Sequence, residues 1–376
     1  MAGPLSGIKV IEFTGLGPGP FCGMMLADQG AEVIRIDRPS GLFDPFDILG
    51  RSRKSIKIDM KTPEGLAIVR DLCCSADALI EGYRPGVMER LGLGPDVLLA
   101  DNRKLVYGRM TGWGQNGPLA YVAGHDINYI ALTGILHTCG STGGKPVAPV
   151  NYLGDFGGGG MMLAFGIASA LLAVRMGGEG QVIDAAMTDG ASLLAAMTWQ
   201  MFNGGTWNDT PGTNLLDGGS HFYDTFECAD GKWLSIGSIE PQFYALLRQT
   251  LGLTNDAAFD AQMDRAAWPV LKAKLATIFL TRTRDEWAAL MEGTDICFAP
   301  VLSLGEAPHH PHNIARSTFI DLEGAIHPAP APRYSKMPLD RPRPARVPGA
   351  DADTVLDDLG YSAEHIAMLR SAGAFG

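Results

Sequence analysis

The sequence predicts an α/β fold, in which a large domain with a mostly parallel sheet is followed by a smaller α+β domain. Three observations support this. Short strands alternate with helical segments through the first half of the chain. A segment rich in Gly, Asn and Thr, residues 203–220, interrupts that pattern. A hairpin-like segment, residues 222–239, then turns at Asp230–Gly231.

The first half supplies the βαβ elements in order. A loop of glycines and prolines, residues 15–20, separates the first strand from a helix. A second helix begins at Thr62-Pro63-Glu64, because Thr caps a helix, Pro suits its first turn, and Glu complements its positive end. The strands are predicted at residues 8–13, 31–37, 78–81 and 105–109. Longer helices are predicted at residues 125–137 and 156–175.

The simplest domain organisation is one continuous domain with a second inserted before the tail. The predicted parts are a large domain, a linker, a small domain, a proline-rich linker and C-terminal helices that return to the large domain, at residues 1–200, 201–220, 221–315, 316–348 and 349–376.

The composition excludes several classes of protein. At 46% hydrophobic and 19% charged residues, the 376-residue chain buries a large core. Its net charge of −11 opposes general nucleic-acid binding. The longest apolar stretch, residues 161–174, is shorter than the roughly 20 residues of a membrane span, so we expect a buried helix and no membrane partner.

The targeting and cysteine signals indicate the cytoplasm. The segment MAGPLSGIKVIEF lacks the pattern of a secretory signal. The six cysteines show no C-x-x-C spacing, and we expect them to be reduced core residues. The run His309-His310-x-His312 lacks carboxylates at helical spacing and indicates a surface loop rather than a metal site.

Basic residues cluster in this acidic chain. They form either a solvated rim or a site for a ligand with several phosphate charges, which arginine binds in a bidentate manner. The residues are Arg35, Arg38, Arg51, Arg53, Lys54, Lys57, Lys61, Arg84 and Arg90.

The glycine-rich loop after the first strand also admits a dinucleotide site, with Asp37 as the ribose-binding acid. Pro18 and Pro20 argue against this interpretation, because they lack the N–H groups on which pyrophosphate binding depends. A tight turn with close helix–strand packing is the alternative.

Two polar motifs stand at predicted helix starts. Residues 124–129, GHDINY, place His125 beside an aspartate, which favours an acid/base site. Residues 151–160, NYLGDFGGGG, place Asp155 before four glycines, which permit close approach by a ligand. We expect helix N–H groups to favour the ionised form of Asp155. A glycine hinge with a capping aspartate is the structural alternative.

Long motifs together resemble the family III CoA-transferases and, among them, the α-methylacyl-CoA racemases. The resemblance covers nearly the whole chain through PLSGIKVIEF, VIRIDRP, IEGYRPGVMERLGLGP, RMTGWGQNGP, GHDINYIALTGILH, GDFGGGG, IEPQFY and LGYSAEHIAMLRSAGA. His125 in GHDINY together with Glu240 in IEPQFY is typical of the racemases.

The resemblance implies a Rossmann-like large domain, a smaller domain and an interlocked homodimer. It implies an active site between the large domain of one subunit and the small domain of the other. The implied activity is the interconversion of (R)- and (S)-2-methylacyl-CoA esters in lipid metabolism. CoA is then part of the substrate, and no metal or other cofactor is expected.

The resemblance also assigns roles to residues. His125 and Asp155 are the implied acid/base pair, supported by Asn151 and Glu240. The implied CoA-binding residues, for adenine, phosphates and pantetheine, are Arg38, Ile58, Asp59, Met60, Lys61, Gly82, Tyr83, Arg84, Arg90, Gly124, Asp126, Ile127, Asn128 and Tyr129.

Inversion of an α-carbon requires one group that removes a proton and another that returns one on the opposite face. A histidine and a carboxylate can hold opposite protonation states near neutral pH. Two alternatives remain: a CoA-transferase in which Asp155 is the nucleophile, and a non-catalytic acyl-CoA-binding protein.

Overall fold

A computed structural model describes residues 2–375, so the predicted domain limits at residues 1 and 376 lie outside the described residues. The chain forms two compact units. The first contains Met1–Thr133, Val150–Leu194 and Ser317–Gly376. The second contains Gly134–Pro149 and Ala195–Arg316.

Eleven strands lie in the described residues. They are β1 (Lys9–Phe13), β2 (Glu32–Asp37), β3 (Lys54–Lys57), β4 (Ala78–Glu81), β5 (Val106–Thr111), β6 (Val182–Ala186), β7 (Tyr223–Glu227), β8 (Trp233–Gly237), β9 (Phe298–Pro300), β10 (Phe319–Leu322) and β11 (Ala325–Pro328).

Fifteen α-helices lie in the same part of the chain. They are α1 (Pro18–Asp28), α2 (Pro63–Cys74), α3 (Val87–Arg90), α4 (Pro95–Asp101), α5 (Asp126–Leu132), α6 (Ile135–Thr138), α7 (Met162–Arg175), α8 (Met187–Leu194), α9 (Ala196–Asn203), α10 (Pro241–Thr250), α11 (Trp268–Phe279), α12 (Arg284–Met291), α13 (Pro311–Ala315), α14 (Ala352–Asp358) and α15 (Ala363–Ser371). A π-helical segment, Tyr152–Met161, continues directly into α7.

The first unit is built on a six-stranded parallel sheet in the order β3-β2-β1-β4-β5-β6. This confirms the predicted α/β fold, and the strand order is that of a Rossmann sheet. The sequence analysis missed both edge strands. β3 (KSIK) is half charged, and β6 alternates exposed and half-buried residues, so neither has the apolar pattern of a central strand.

Helices cover both faces of this sheet. On one face, Ile11 of β1 and Ile34 of β2 belong to a core that α2, α4, α14 and α15 complete. On the other, Val10 and Val33 pack with α1 and α7. Because side chains alternate along a strand, neighbouring residues of β1 enter opposite cores.

The C-terminal segment returns to the first unit. Ile58 pairs with Phe375, and the Asp59 N–H donates to the Ala374 carbonyl at 3.0 Å. The segment predicted as a proline-rich linker, residues 316–348, is not a plain linker, because β10 and β11 form an antiparallel hairpin within it.

The predicted helix at residues 125–137 is two helices. Gly134 has a φ of 83°, a left-handed conformation that ends α5 and separates it from α6. Residues 134–149 belong to the second unit, so the predicted continuous domain of residues 1–200 differs from the observed division.

The apolar helix is longer than predicted. Tyr152–Met161 and α7 run together over 24 residues and contain an 18-residue window with a mean hydropathy of 1.7, so the helix is long and apolar enough to cross a membrane. The expectation that it is too short for a span is therefore wrong, because the glycines continue the helix rather than end it. Leu163 and Ile167 of this helix are buried in the core against the sheet.

The second unit has its own sheet and core. Strands β7, β8 and β9 form an antiparallel sheet, and the predicted hairpin is β7–β8. Its core is rich in aromatic residues, including Phe222, Phe279 and Trp287. The expectation that all cysteines are core residues is wrong for Cys74, at the end of α2, and for Cys297, immediately before β9, which are both exposed.

Candidate active site

A cavity of about 400 Å³ opens in the first unit where β1, β4 and β5 end. Ligands bind parallel sheets at these carboxyl ends, at the point where the strand order reverses, which here lies between β1 and β4. The walls are the loop after β1, the loop after β4, the loop after β5 and the starts of two helical segments. The residues are Phe13, Gly15, Leu16, Gly17, Pro18, Gly19, Pro20, Gly82, Tyr83, Arg84, Met110, Thr111, Gly112, Trp113, Ala120, Val122, Ala123, Gly124, His125, Tyr129, Asp155 and Met187.

His125 stands immediately before α5 in an extended conformation, with its backbone N–H bound by the Asn128 side-chain oxygen at 3.0 Å. The Tyr129 hydroxyl donates to the Gly124 carbonyl. A Cβ on Gly124 would lie 2.8 Å from the Tyr129 ring and 2.9 Å from Trp113, so only glycine fits there. These contacts hold His125 at the cavity wall.

Asp155 lies half-buried in the first turn of the Tyr152–Met161 segment. Asn151 Nδ2 donates to its Oδ2 at 3.1 Å. Burial raises the pKa of the Asp155 carboxyl, and the nearby Asp126 carboxylate raises it further, whereas Asn151 and His125 act in the opposite direction. The expectation that helix N–H groups hold Asp155 ionised is therefore wrong.

Asp126 explains why the helix N–H groups do not serve Asp155. Its Oδ2 accepts hydrogen bonds from the N–H groups of Gly154 and Asp155, both at 2.7 Å. The donors that the sequence analysis assigned to Asp155 are thus bound by another carboxylate. That analysis named Asp126 only as a CoA contact, and an acidic residue next to His125 at a helix start was the signal for a structural role.

The glycine run packs against protein rather than ligand. A Cβ on Gly158 would lie 2.5 Å from the Ala191 nitrogen of α8, and one on Gly160 would lie 2.7 Å from the Pro18 carbonyl of α1. The expectation that these glycines admit a ligand backbone is wrong, since helices α1 and α8 already occupy that space.

The basic cluster divides into buried and exposed residues. Arg51 binds Asp28, with Nε 3.0 Å from Oδ1, and Arg53 lies 2.7 Å from Glu12 in the core. Both arginines are structural. Arg84 lies exposed on the cavity wall, and Arg90 lies exposed in α3. Exposed Arg38 hydrogen-bonds the Tyr83 hydroxyl.

The predicted adenine segment, residues 58–61, follows β3. The Ile58 side chain is buried in the core, so only its backbone is available to a ligand. Met60 packs against the same core, and Asp59 Oδ1 accepts from the Lys61 N–H at 3.0 Å. Lys61 is exposed.

The remaining predicted residues are more scattered. Ile127 and Asn128 are exposed on α5 but do not line the cavity, whereas Tyr129 does. Glu240 belongs to the second unit, where it is exposed immediately before α10.

Among residues 2–375, no three His, Cys, Asp or Glu side chains converge as a metal site.

A buried ion pair behind the cavity escaped the sequence analysis. Arg109 of β5 binds Glu81 of β4 at 2.9 Å and Glu89 of α3 at 2.8 Å. Glu81 Oε2 also accepts from the Tyr83 N–H at 2.7 Å, and burial raises the pKa of Glu81 to about 7. This network fixes the loop that carries Tyr83 and Arg84.

Comparison with known proteins agrees with this fold and identifies the family. Residues 5–354 match CoA-transferase family III, and the chain belongs to this family. It is 46% identical to mouse alpha-methylacyl-CoA racemase over 98% of this chain and 96% of the mouse protein. The human racemase is 45% identical over the same shares. The crystal structure of a CAIB/BAIF family protein from Brucella suis superposes with a TM-score of 0.82 at 26% identity, covering 96% of this chain and 100% of that one.

Proposed function

We propose that this protein is an isomerase that interconverts (R)- and (S)-2-methylacyl-CoA esters. One observation carries the proposal: His125 and Asp155 come from two separate helix starts and line the same cavity. The identity of 45–46% to two alpha-methylacyl-CoA racemases favours this reaction over acyl transfer.

The reaction needs two proton carriers on opposite sides of the α-carbon. One of His125 and Asp155 removes the α-proton as a base, and the other, protonated, returns a proton to the opposite face. The raised pKa of Asp155 suits it to both states, because a general acid/base works best near the operating pH. Each positioned proton transfer contributes about 10²–10⁴-fold.

The enolate that forms between the two transfers carries negative charge on the thioester oxygen. The first N–H groups of α5 have no acceptor within their own helix. Of these groups, the Asp126 N–H follows His125 directly, and in this proposal it stabilises the charge on the thioester oxygen. No metal or redox cofactor takes part in this scheme.

The CoA moiety binds along the edge that bears the exposed basic residues. Arg84 stands in the cavity wall after β4, Arg90 lies in α3 after the same strand, and Arg38 immediately follows β2. Their positive charge attracts the phosphates of CoA in a chain that is otherwise acidic.

The working enzyme in this proposal is a homodimer. Phe165 and Leu172 of α7 are 72% and 60% exposed, and Leu193 of α8 is 61% exposed. Large apolar side chains on neighbouring helices are typical of an interface. In the dimer, Glu240 of the partner subunit supports His125.

A single experiment separates this function from its rivals. One enantiomer of a 2-methylacyl-CoA is incubated with enzyme in D₂O without any acceptor acid. A racemase incorporates deuterium at the α-carbon while the stereochemistry scrambles. A CoA-transferase instead yields an acyl adduct on Asp155 that hydroxylamine traps, and a binding protein yields neither product.

Two variants and a control sharpen the assignment. His125→Ala and Asp155→Ala should each abolish most racemisation, yet each retains exchange on the face that its remaining base serves. Asp96→Ala removes an exposed acidic residue from the first turn of α4, away from the cavity, and should match wild type. Equal activity in all three variants contradicts the proposal.

A further inference from the structure

The carboxylate of Asp126 connects the two proposed bases. Asp126 is 6% exposed and follows His125 in the chain. Its Oδ2 accepts from the N–H groups of Gly154 and of Asp155, both at 2.7 Å. These N–H groups belong to the first turn of the Tyr152–Met161 segment, where a helix offers no acceptor of its own. A residue at the start of one helix therefore caps the start of another.

The local packing is shaped around this contact. A Cβ on Gly154 would lie 2.6 Å from Asp126 Oδ2, so the carboxylate reaches the amides only because residue 154 is glycine. The other oxygen, Oδ1, is buried and has no hydrogen-bond partner among residues 2–375. An unsatisfied buried carboxylate oxygen is costly, and such groups in folded proteins call for a reason beyond packing.

We infer that Asp126 is a positioning residue, which holds the backbone of Asp155 at a fixed distance from His125 by capping the Tyr152–Met161 segment. The inference rests on the proposed racemase function. It gives Asp126 a task that neither base performs: it fixes the separation of two groups that must act on opposite faces of one carbon. A small displacement of a reacting group is enough to lower a rate by about 10²-fold.

The charge of Asp126 adds a second, separable effect. The pKa of Asp155 depends on its burial, the hydrogen bond from Asn151, and the charges of Asp126 and His125. Burial and, after it, the Asp155 carboxylate raise the pKa of the Tyr129 hydroxyl. Of these groups, Asp126 raises the pKa of Asp155, whereas Asn151 and His125 lower it. Removal of the Asp126 charge alone should therefore lower the pKa of Asp155.

Two substitutions distinguish position from charge. Asp126→Ala removes both hydrogen bonds and the charge. Asp126→Asn removes only the charge, because one oxygen accepts both bonds and an amide oxygen can replace it. Asp96→Asn is the matched control, an exposed acidic residue in the first turn of another helix.

The measurement is α-deuterium exchange in D₂O, started separately from each pure enantiomer and followed against pH. Asp126→Ala should lower exchange of the enantiomer that Asp155 deprotonates by about tenfold more than exchange of the other. Asp126→Asn should keep both exchange rates within about threefold at neutral pH. For this variant, the pH profile of the enantiomer that Asp155 deprotonates should have its acidic limb at lower pH. The reason is that a base with a lower pKa stays deprotonated at lower pH.

The exchange rates of the Asp126 variants can contradict the inference in two ways. Unaltered exchange of both enantiomers by Asp126→Ala overturns the inference, and so does an equal loss in the Ala and Asn variants. Circular dichroism reports whether the Ala variant folds. If it does not, a loss of exchange greater than about tenfold in Asp126→Asn, which keeps both hydrogen bonds, overturns the inference. Absence of exchange in the wild-type enzyme contradicts the proposed function itself, which distinguishes the two failures.

Discussion

Asn151 donates a hydrogen bond to Asp155, with 3.1 Å between Nδ2 and Oδ2. The bond stabilises the carboxylate over the carboxylic acid, because an ionised oxygen accepts more strongly than a neutral one. It opposes burial, which raises the pKa of Asp155. Asn151 therefore sets the lower pH limit at which Asp155 serves as a base.

Asn151→Ala should move the acidic limb of activity to higher pH. Loss of the hydrogen bond raises the pKa of Asp155 further, and a base with a raised pKa becomes protonated earlier as the pH falls. The check is the pH profile of α-deuterium exchange from each enantiomer. Only the enantiomer served by Asp155 should show the shift, and a profile that coincides with wild type for both would refute the role of Asn151.

Arg84→Ala and Arg90→Ala should weaken acyl-CoA binding, more at low salt than at high salt. Both arginines are exposed, and salt screens exposed charges from the phosphates of CoA. Arg103→Ala is the control, because Arg103 is also exposed, pairs with Glu179, and precedes β5 at the end of the sheet opposite the cavity. Titration calorimetry with CoA at two ionic strengths measures the effect. Affinities that match the control at both would remove these arginines from the site.

Phe165→Glu should dissociate the proposed homodimer. The Phe165 side chain is 72% exposed on α7, and a charge in an apolar interface costs more than the interface recovers. Met368→Glu on α15 is the control, since Met368 is also a largely exposed apolar residue. Sedimentation velocity and racemase activity are measured at one protein concentration. A wild-type chain that sediments as a fully active monomer would be incompatible with the dimer.

Gly190→Ala should destabilise the first unit strongly. A Cβ on Gly190 would lie 1.8 Å from the Gly158 carbonyl oxygen, so α8 or the Tyr152–Met161 segment would have to move. We expect a loss of about 1–3 kcal/mol, typical of overpacking. Gly19→Ala in α1 is the control, because its Cβ would meet nothing closer than 3.9 Å. Urea unfolding compares the two, and equal midpoints would contradict the close contact.

Sequence reasoning succeeded where the chemistry is local. Thr62 caps α2 through a hydrogen bond to the Gly65 N–H, as its position before Pro63 predicts. Sequence reasoning also placed the polar motif that contains His125 at a helix start, and His125 immediately precedes α5. It failed where a distant group decides. The two hydrogen bonds that Asp126 accepts span 28 and 29 positions in the chain, and no local pattern shows that Asp126 takes the amides expected to serve Asp155.

The burial of charge was also beyond the sequence. The sequence does not distinguish three of the arginines, Arg51, Arg53 and Arg84. In the structure the first two are buried in ion pairs, whereas the third lines the cavity. What separates them is the presence of a carboxylate partner from another strand or helix. Such partners become neighbours only once the order of the strands in the sheet is known.

Arg109 offers the strictest test of how the fold supports the site. Arg109→Met should destabilise the protein by about 3–5 kcal/mol, because it leaves the buried Glu81 without its cation. The loss should grow as the pH rises. Burial already raises the pKa of Glu81 from 4.5 to about 7, and the loss of Arg109 raises it further. Between pH 4.5 and about 7, Glu81 keeps its proton in both folded proteins while the unfolded chain releases it, so the stability of both falls alike. Above about pH 7 the wild-type Glu81 ionises beside Arg109, whereas the variant keeps the proton and continues to lose stability, so the loss grows in that range.

Three companion variants complete this prediction. Glu81→Gln in the Arg109→Met background removes the unpaired charge and should recover part of the stability, since the two residues act as a pair. Arg70→Met breaks the exposed pair with Asp101 and should leave the unfolding midpoint almost unchanged.

The Arg109→Met variant should also bind CoA more weakly at pH values where it is folded, because Glu81 no longer holds the loop that presents Tyr83 and Arg84. Urea unfolding from pH 5 to 8 and CoA titration measure both effects. A pH-independent loss equal to that of Arg70→Met would show that the Glu81–Arg109 pair does not support the loop.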